Sequence, residues 1–379
     1  MIVSNPASGA SGDGEGLDMA AISSLAGGQR MVEGEVRAKL FTGTIRKGEL
    51  TGTRVSLKAY PPASQAQYAD IMAANELKAH SSLQTPDGEP PENVAKLLGG
   101  FVVKDGAGTG EQWLVFRAGL DGTATLEEYA KVAAEATSTK GTVGEGEFWD
   151  RFDYSRALRR RQVFLLRAIR GAMQGLASMH SRGWLHQSLG PQSVLLSTTE
   201  ERDAARLNAR LRDLAFAVKC SNEALMGGPT LADLWEAGKK MDAERDDPAN
   251  VLSESLWQRA RSEGAVTTSE QRNFGIADDI YSAGLLLAYA CFVPLSEMGS
   301  VDGPTLLRLL ETTFRDDFEG FREYATADDR WSDAVDFLNI GKGAGWELLE
   351  AMLAPDWRKR PTAESCLKHP FLTGEAYDM

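Results

Sequence analysis

Near residue 122 the hydrophobic period of the chain changes, and that change limits what it can fold into. Before it, apolar residues alternate in short runs at 37 to 44 and 51 to 60, joined by a glycine-containing turn. Similar runs follow at 94 to 103 and 113 to 116, around Gly106-Ala107-Gly108-Thr109-Gly110. Alternation bounded by Gly and Pro reads as strand, and Pro61-Pro62 ends the second run because proline cannot donate to a ladder. Among these runs, 64 to 83 carries a helical stripe through Ile71, Met72, Leu77 and Ala79, with Ser64 as the expected cap. Beyond residue 122 the period becomes helical. Residues 158 to 180 place Leu166, Ile169, Met173 and Leu176 on one face, and further helices are expected near 278 to 292, 304 to 315, 329 to 340 and 345 to 353. The expected class is α+β: a small antiparallel sheet with one key helix, then a larger, mainly helical part.

Length and composition narrow the possibilities. At 379 residues the chain exceeds one compact core. Residues 1–30 are rich in Gly, Ser and Ala and read as a flexible tail, 31–118 as the sheet-bearing part and 119–374 as the helical part. Within the last, 221–272 is charged and broken by Gly and Pro, although Leu231, Leu234, Trp235 and Met241 have helical spacing; it reads as an insertion. A net charge of −13 disfavours nucleic acid or an anionic membrane as a partner. The basic cluster Arg156, Arg159, Arg160 and Arg161 reads as the solvated face of a helix start. Cys220, Cys291 and Cys366 have neither metal nor disulfide spacing, which fits a reducing compartment. The apolar run that begins at Ile280 is interrupted by Pro294 and preceded by Asp278 and Asp279, so a buried core helix is expected rather than a membrane span.

Seven short motifs then occur in order. Arg54-Val55-Ser56-Leu57-Lys58 is followed eighteen residues later by Glu76 on the expected helix. His186-Gln187-Ser188-Leu189-Gly190-Pro191-Gln192-Ser193-Val194-Leu195-Leu196 precedes Asp213-Leu214-Ala215. Asp279-Ile280-Tyr281-Ser282-Ala283-Gly284, Arg358-Lys359-Arg360-Pro361-Thr362 and His369-Pro370-Phe371 complete the series. Together these resemble the eukaryotic protein kinase superfamily over about 31 to 374, in its Val-Ala-Ile-Lys strand, helix glutamate, His-Arg-Asp loop, Asp-Phe-Gly motif and core helix. A two-lobed fold is thereby implied. Trp113-Leu114-Val115-Phe116, the Asp-Leu-Ala form and Gly343-Ala344-Gly345-Trp346-Glu347-Leu348-Leu349 look like the chloroplast state-transition kinases, which implies a plastid protein. The membrane span and paired N-terminal cysteines of those enzymes are not found in these residues.

The resemblance assigns chemistry residue by residue. Lys58 would hold ATP phosphates, Glu76 would orient Lys58, and Asp213 would ligate Mg²⁺. Gly34, Val36 and Phe116 complete the implied nucleotide-binding set, with Val36 and Lys39 in two positions where the family's phosphate loop has glycine. His186 is implied to be structural. The departures gather in the loop: Ser188 stands at the catalytic aspartate, Gly190 at the phosphate-contacting lysine, Ser193 at the second metal ligand and Gln187 at the arginine. A serine accepts no proton at neutral pH as a carboxylate does, and loss of such general-base help costs about 10²–10⁴ in rate. The activation segment has no Ala-Pro-Glu, and Asp213 and Asp279 lie 66 residues apart; Glu254 and Glu263 are the candidate partners of Arg360. The leading expectation is a pseudokinase that serves as scaffold or allosteric regulator of a protein partner, with weak ATP and Mg²⁺ binding. An active or atypical Ser/Thr kinase and a nucleotide-gated switch are the alternatives.

Overall fold

A computed structural model describes residues 2–6, 16–18, 36–62, 65–66, 68–85, 87–104, 110–118, 124–138, 154–220, 248–297, 299–315 and 317–377. They divide into two compact units. The first comprises Met1–Thr123, Ser178–Leu189 and Arg212–Asp279; the second comprises Ala124–Ala177, Gly190–Leu211 and Ile280–Met379.

The first unit is built on an antiparallel sheet. Its strands are β1 (Ile2–Pro6), β2 (Gly16–Asp18), β3 (Arg37–Ile45), β4 (Arg54–Tyr60), β5 (Leu97–Lys104) and β6 (Gly110–Arg117), in the order β1-β3-β4-β6-β5 with β2 also on β3. Two short stretches of the expected leader tail are therefore strands. Gly48 and Gly52, both at positive φ, make the turn between β3 and β4, where an L side chain would be strained. In β4 the alternation sorts function from packing. Val55 and Leu57 pack with Val115, Phe41, Ile45, Leu98 and Trp113, which sends Lys58 and Tyr60 to the opposite face of the strand.

Helix α1 (Ala69–Leu83) belongs to the same unit. It starts at Ala69 after the left-handed Tyr68 rather than at a Ser64 cap, and Ser64 lies outside the described residues. Its buried side keeps Met72 and Ala79 of the expected apolar stripe but not Leu77, and adds polar residues. Leu77 is exposed, while Met72, Asn75, Glu76, Ala79, His80 and Leu83 are buried. Helix α4 (Pro248–Ser262) lies in this unit too, where Arg259 forks onto Asp278 at 2.7 and 2.9 Å. The helix expected around Leu231 and Met241 falls outside the described residues.

The second unit is helical, as the period change requires. It holds α2 (Leu126–Ser138), most of α3 (Tyr154–Ser181), the later part of α5 (Thr268–Phe292), α6 (Gly303–Arg308), α7 (Phe318–Ala327), α8 (Ser332–Met352), α9 (Ala363–Leu367) and α10 (Pro370–Thr373). On α3, Leu166, Ile169, Met173 and Leu176 are all buried. Helix α8 is broken at Ile340 to Gly343, three residues of which have positive φ, which separates the two helices expected there. A Cβ on Gly284 would sit 2.8 Å from Leu353, so the close approach of α5 to α8 in this unit needs glycine there. Phe292, Phe321, Trp331 and Trp346 form the aromatic heart of the unit, with ring centroids 5.3 to 6.2 Å apart. Among the described helices, α5 is the one long and apolar enough to cross a membrane, and it is mostly buried. The α+β class with its small antiparallel sheet and larger helical part is the expected one.

Candidate functional site

A strand and a helix of the first unit fix the first half of the site. Lys58, on β4, is flanked on both sides by β3 and β6, where Leu40 and Leu114 are its register partners. Its Nζ lies 2.9 Å from Glu76 Oε2 and 2.8 Å from Asp213 Oδ1. Tyr60, two residues along the same strand face, donates its hydroxyl to Glu76. All four side chains are buried. Burial opposes the charge on Lys58, but Asp213 and then Glu76 outweigh it, and the ammonium is held above its ordinary pKa. Burial and then Glu76 push the Tyr60 phenol well up, so it stays a donor.

Asp213 is held from every side. Its backbone is left-handed, at φ 63 and ψ 53, a conformation that Asp tolerates better than most residues. Lys58 takes Oδ1, and Arg212 donates from Nε to Oδ2 at 3.0 Å. Burial favours a protonated carboxyl here, yet Arg212 and then Lys58 hold it below the usual carboxylate range. Next to it, Asn75 on α1 donates to the carbonyls of Ala215 and Ala217 at 2.8 and 2.9 Å, tying the helix to the segment that carries Asp213.

The His186 to Ser188 segment is organised by Asp279. This buried carboxylate accepts from the backbone of His186 at 2.7 Å, from the backbone and side chain of Gln187 at 2.9 and 3.0 Å, and pairs with His180 Nε2 at 2.9 Å. Burial opposes its charge, but the His180 hydrogen bond and charge outweigh that and keep it ionised. Gln187, at φ 59, therefore turns its amide back onto Asp279. His186 Nε2 meets the Arg212 carbonyl at 3.1 Å, and burial lowers its pKa. Ser188 Oγ donates to the Asp213 carbonyl at 2.8 Å and is fully buried. Its one proton is committed to the backbone of Asp213.

Gly190 and Ser193 belong to the second unit, where they close on each other. Ser193 Oγ donates to the Gly190 carbonyl at 2.7 Å and accepts from the Gly190 amide at 2.9 Å. This turn leads into β7 (Val194–Leu196), paired with β8 (Ala209–Leu211).

Lys58, Glu76, Asp213, His186 and Ser188 are thus brought together as one connected network in the first unit. Phe116, on β6, is buried and packs edge-on to His80 at 5.0 Å between centroids. Val36 is buried just before β3, Lys39 is exposed, and Gly34 lies outside the described residues. Arg360 donates to the Ala354 carbonyl at 2.8 Å and lies over the Tyr281 ring. Sequence reasoning missed Tyr60, His80 and Arg212. Tyr60 was signalled by its period-two relation to Lys58, His80 by its i+4 relation to Glu76, and Arg212 by its place beside Asp213.

No protein-family model matches the chain. Over 288 residues it is 23% identical to the chloroplastic serine/threonine-protein kinase STN7 of Arabidopsis thaliana, an alignment covering 74% of this chain and 47% of that protein. The chain spans about half the length of the curated relative it matches. The likeness is that of a distant, kinase-like relationship, in line with the α+β architecture.

Proposed function

We propose that this chain is a kinase-like regulatory module, a pseudokinase that acts by binding a protein partner rather than by transferring phosphate. One observation carries the reading: the residue at the catalytic carboxylate position, Ser188, is buried and its hydroxyl is bonded to the Asp213 carbonyl. Phosphoryl transfer requires an acceptor hydroxyl oriented by a carboxylate, and a committed serine hydroxyl supplies neither charge nor basicity. Ser193 spends its hydroxyl on Gly190, and Gln187 turns onto Asp279, so the substituted side chains serve the loop itself. The Lys58–Glu76 pair remains as the nucleotide-facing part of the framework and supports residual ATP binding. The similarity to a chloroplastic kinase supports a plastid location.

The test is transfer of labelled γ-phosphate from ATP to the chain itself and to a generic protein, with Lys58→Met and Asp213→Asn variants alongside. No transfer by any of the three is expected. Transfer that disappears in both variants would favour the second reading, an active or atypical Ser/Thr kinase, which the intact Lys58–Glu76 pair also supports.

A further inference from the structure

The residues that a kinase-like fold would give to a divalent metal do not fit one. Magnesium demands near-ideal octahedral oxygen ligation at about 2.0–2.1 Å. Asp213 presents both carboxylate oxygens to cations of the protein itself, Oδ1 to Lys58 at 2.8 Å and Oδ2 to Arg212 at 3.0 Å. The carboxylate is 1% exposed and Arg212 7%. Charge agrees with geometry. Two buried carboxylates, Glu76 and Asp213, face two cations, Lys58 and Arg212, so the cluster is already neutral. A divalent ion would add two uncompensated charges where desolvation is costly. In the second unit, Ser193 Oγ both donates to and accepts from the Gly190 backbone. Among the described residues no three His, Cys, Asp or Glu side chains form a metal-binding group.

We propose that Arg212 is the resident cation of Asp213, taking the place of a divalent metal, so that any nucleotide the chain binds is not held through a metal on Asp213. A guanidinium suits the task because it stays charged at any working pH and holds carboxylate oxygens directionally. The assignment deepens the reading above, since it rests on Asp213 being the metal-motif residue. It does not depend on whether phosphate is transferred.

The experiment measures thermal midpoints of the intact chain with ATP in EDTA and with ATP in excess Mg²⁺ or Mn²⁺, each against a ligand-free control in the same ions. Wild type should show the same ATP-dependent shift with and without metal. Arg212→Gln, which removes the cation, should gain a metal-dependent increment. Arg212→Lys, which keeps a cation, should behave as wild type. A metal-dependent increment in wild type that is lost in Asp213→Asn would overturn the proposal, and needs no Arg212 variant to fold. An Arg212→Gln protein with native circular dichroism and no increment would overturn the role given to Arg212. The phosphotransfer assay remains a separate readout. Transfer without metal dependence would sink the pseudokinase reading alone, whereas an inert protein that loads metal would sink this inference alone.

Discussion

Two regions of the first unit began from comparable motifs and differ in what their polar groups do. In the sheet and α1, Lys58 and Glu76 keep the residue types that their resemblance implies, and they meet at 2.9 Å. In the 186 to 188 loop the residue types differ from those the resemblance implies, and each polar group is turned to the protein's own backbone or to Asp279. The difference lies in what each region would lose on substitution. A buried charge such as Lys58 cannot be dropped without stranding its partners, because breaking a buried pair costs about 3–5 kcal/mol. The Ser188 hydroxyl, a neutral group with one hydrogen bond to the Asp213 carbonyl, is under no such constraint.

The comparison is broken or sharpened by substitutions of graded effect. The largest is expected at the charged centres. Lys58→Met leaves Glu76 and Asp213 buried without their shared cation, and Asp279→Ala leaves the His186 and Gln187 amides without an acceptor. Each should lower unfolding free energy by about 3–5 kcal/mol in chemical denaturation; a loss below about 1 kcal/mol would show that the network is not structural. Ser188→Asp comes next. It places a carboxylate against the Asp213 carbonyl in a buried position, so it should destabilise by about 1–3 kcal/mol and restore no phosphotransfer, since Gly190 and Ser193 are unchanged.

Acidity separates the two kinds of group. His80 and His186 are neutral in the fold, burial lowering both, His80 to about 3. Their folded pKa values lie below the unfolded value near 6.5, so the unfolded chain binds more protons as pH falls below that point. Stability therefore drops as pH falls below about 6.5, for His80 down to about 3, by up to about 1.4 kcal/mol per pH unit for each histidine that stays neutral in the fold. The depressed Asp213 and Asp279 contribute stability that is present above about pH 4 and lost as pH falls through their folded values. Denaturant midpoints across pH 7 to 4 check the histidine part and their continuation below pH 4 the aspartate part, and His80→Gln should flatten the upper part of the curve. The smallest effect is expected at exposed Lys39, where Ala should change stability by less than about 0.5 kcal/mol.

How much of this was legible in the sequence differs by region for a physical reason. The Lys58–Glu76 pairing was implied by the resemblance of the strand motif and the helix glutamate, and the structure joins them. The strands and the helices of the second unit followed from period alone, because Leu166, Ile169, Met173 and Leu176 are inside by hydrophobicity. Helix α1 was placed well, and Met72 and Ala79 of its apolar stripe are inside. Period reading assumes that polar residues point outward, whereas here Glu76, Asn75 and His80 are also inside and Leu77 is out, the burial of Glu76 offset by Lys58 and Tyr60 and that of Asn75 by backbone carbonyls. The partners of Asp213 were not legible either. A residue adjacent in sequence normally points away, and only the left-handed turn at Asp213 is accompanied by Arg212 reaching its carboxylate.

Ser188→Ala tests the central claim most directly, with chemical denaturation and γ-phosphate transfer measured on the same preparation. If the hydroxyl holds the loop, the variant should lose about 1–3 kcal/mol of stability, because the buried Asp213 carbonyl is left without its donor, and transfer should be absent before and after. Unchanged stability together with a measurable wild-type transfer that the substitution abolishes would contradict the account.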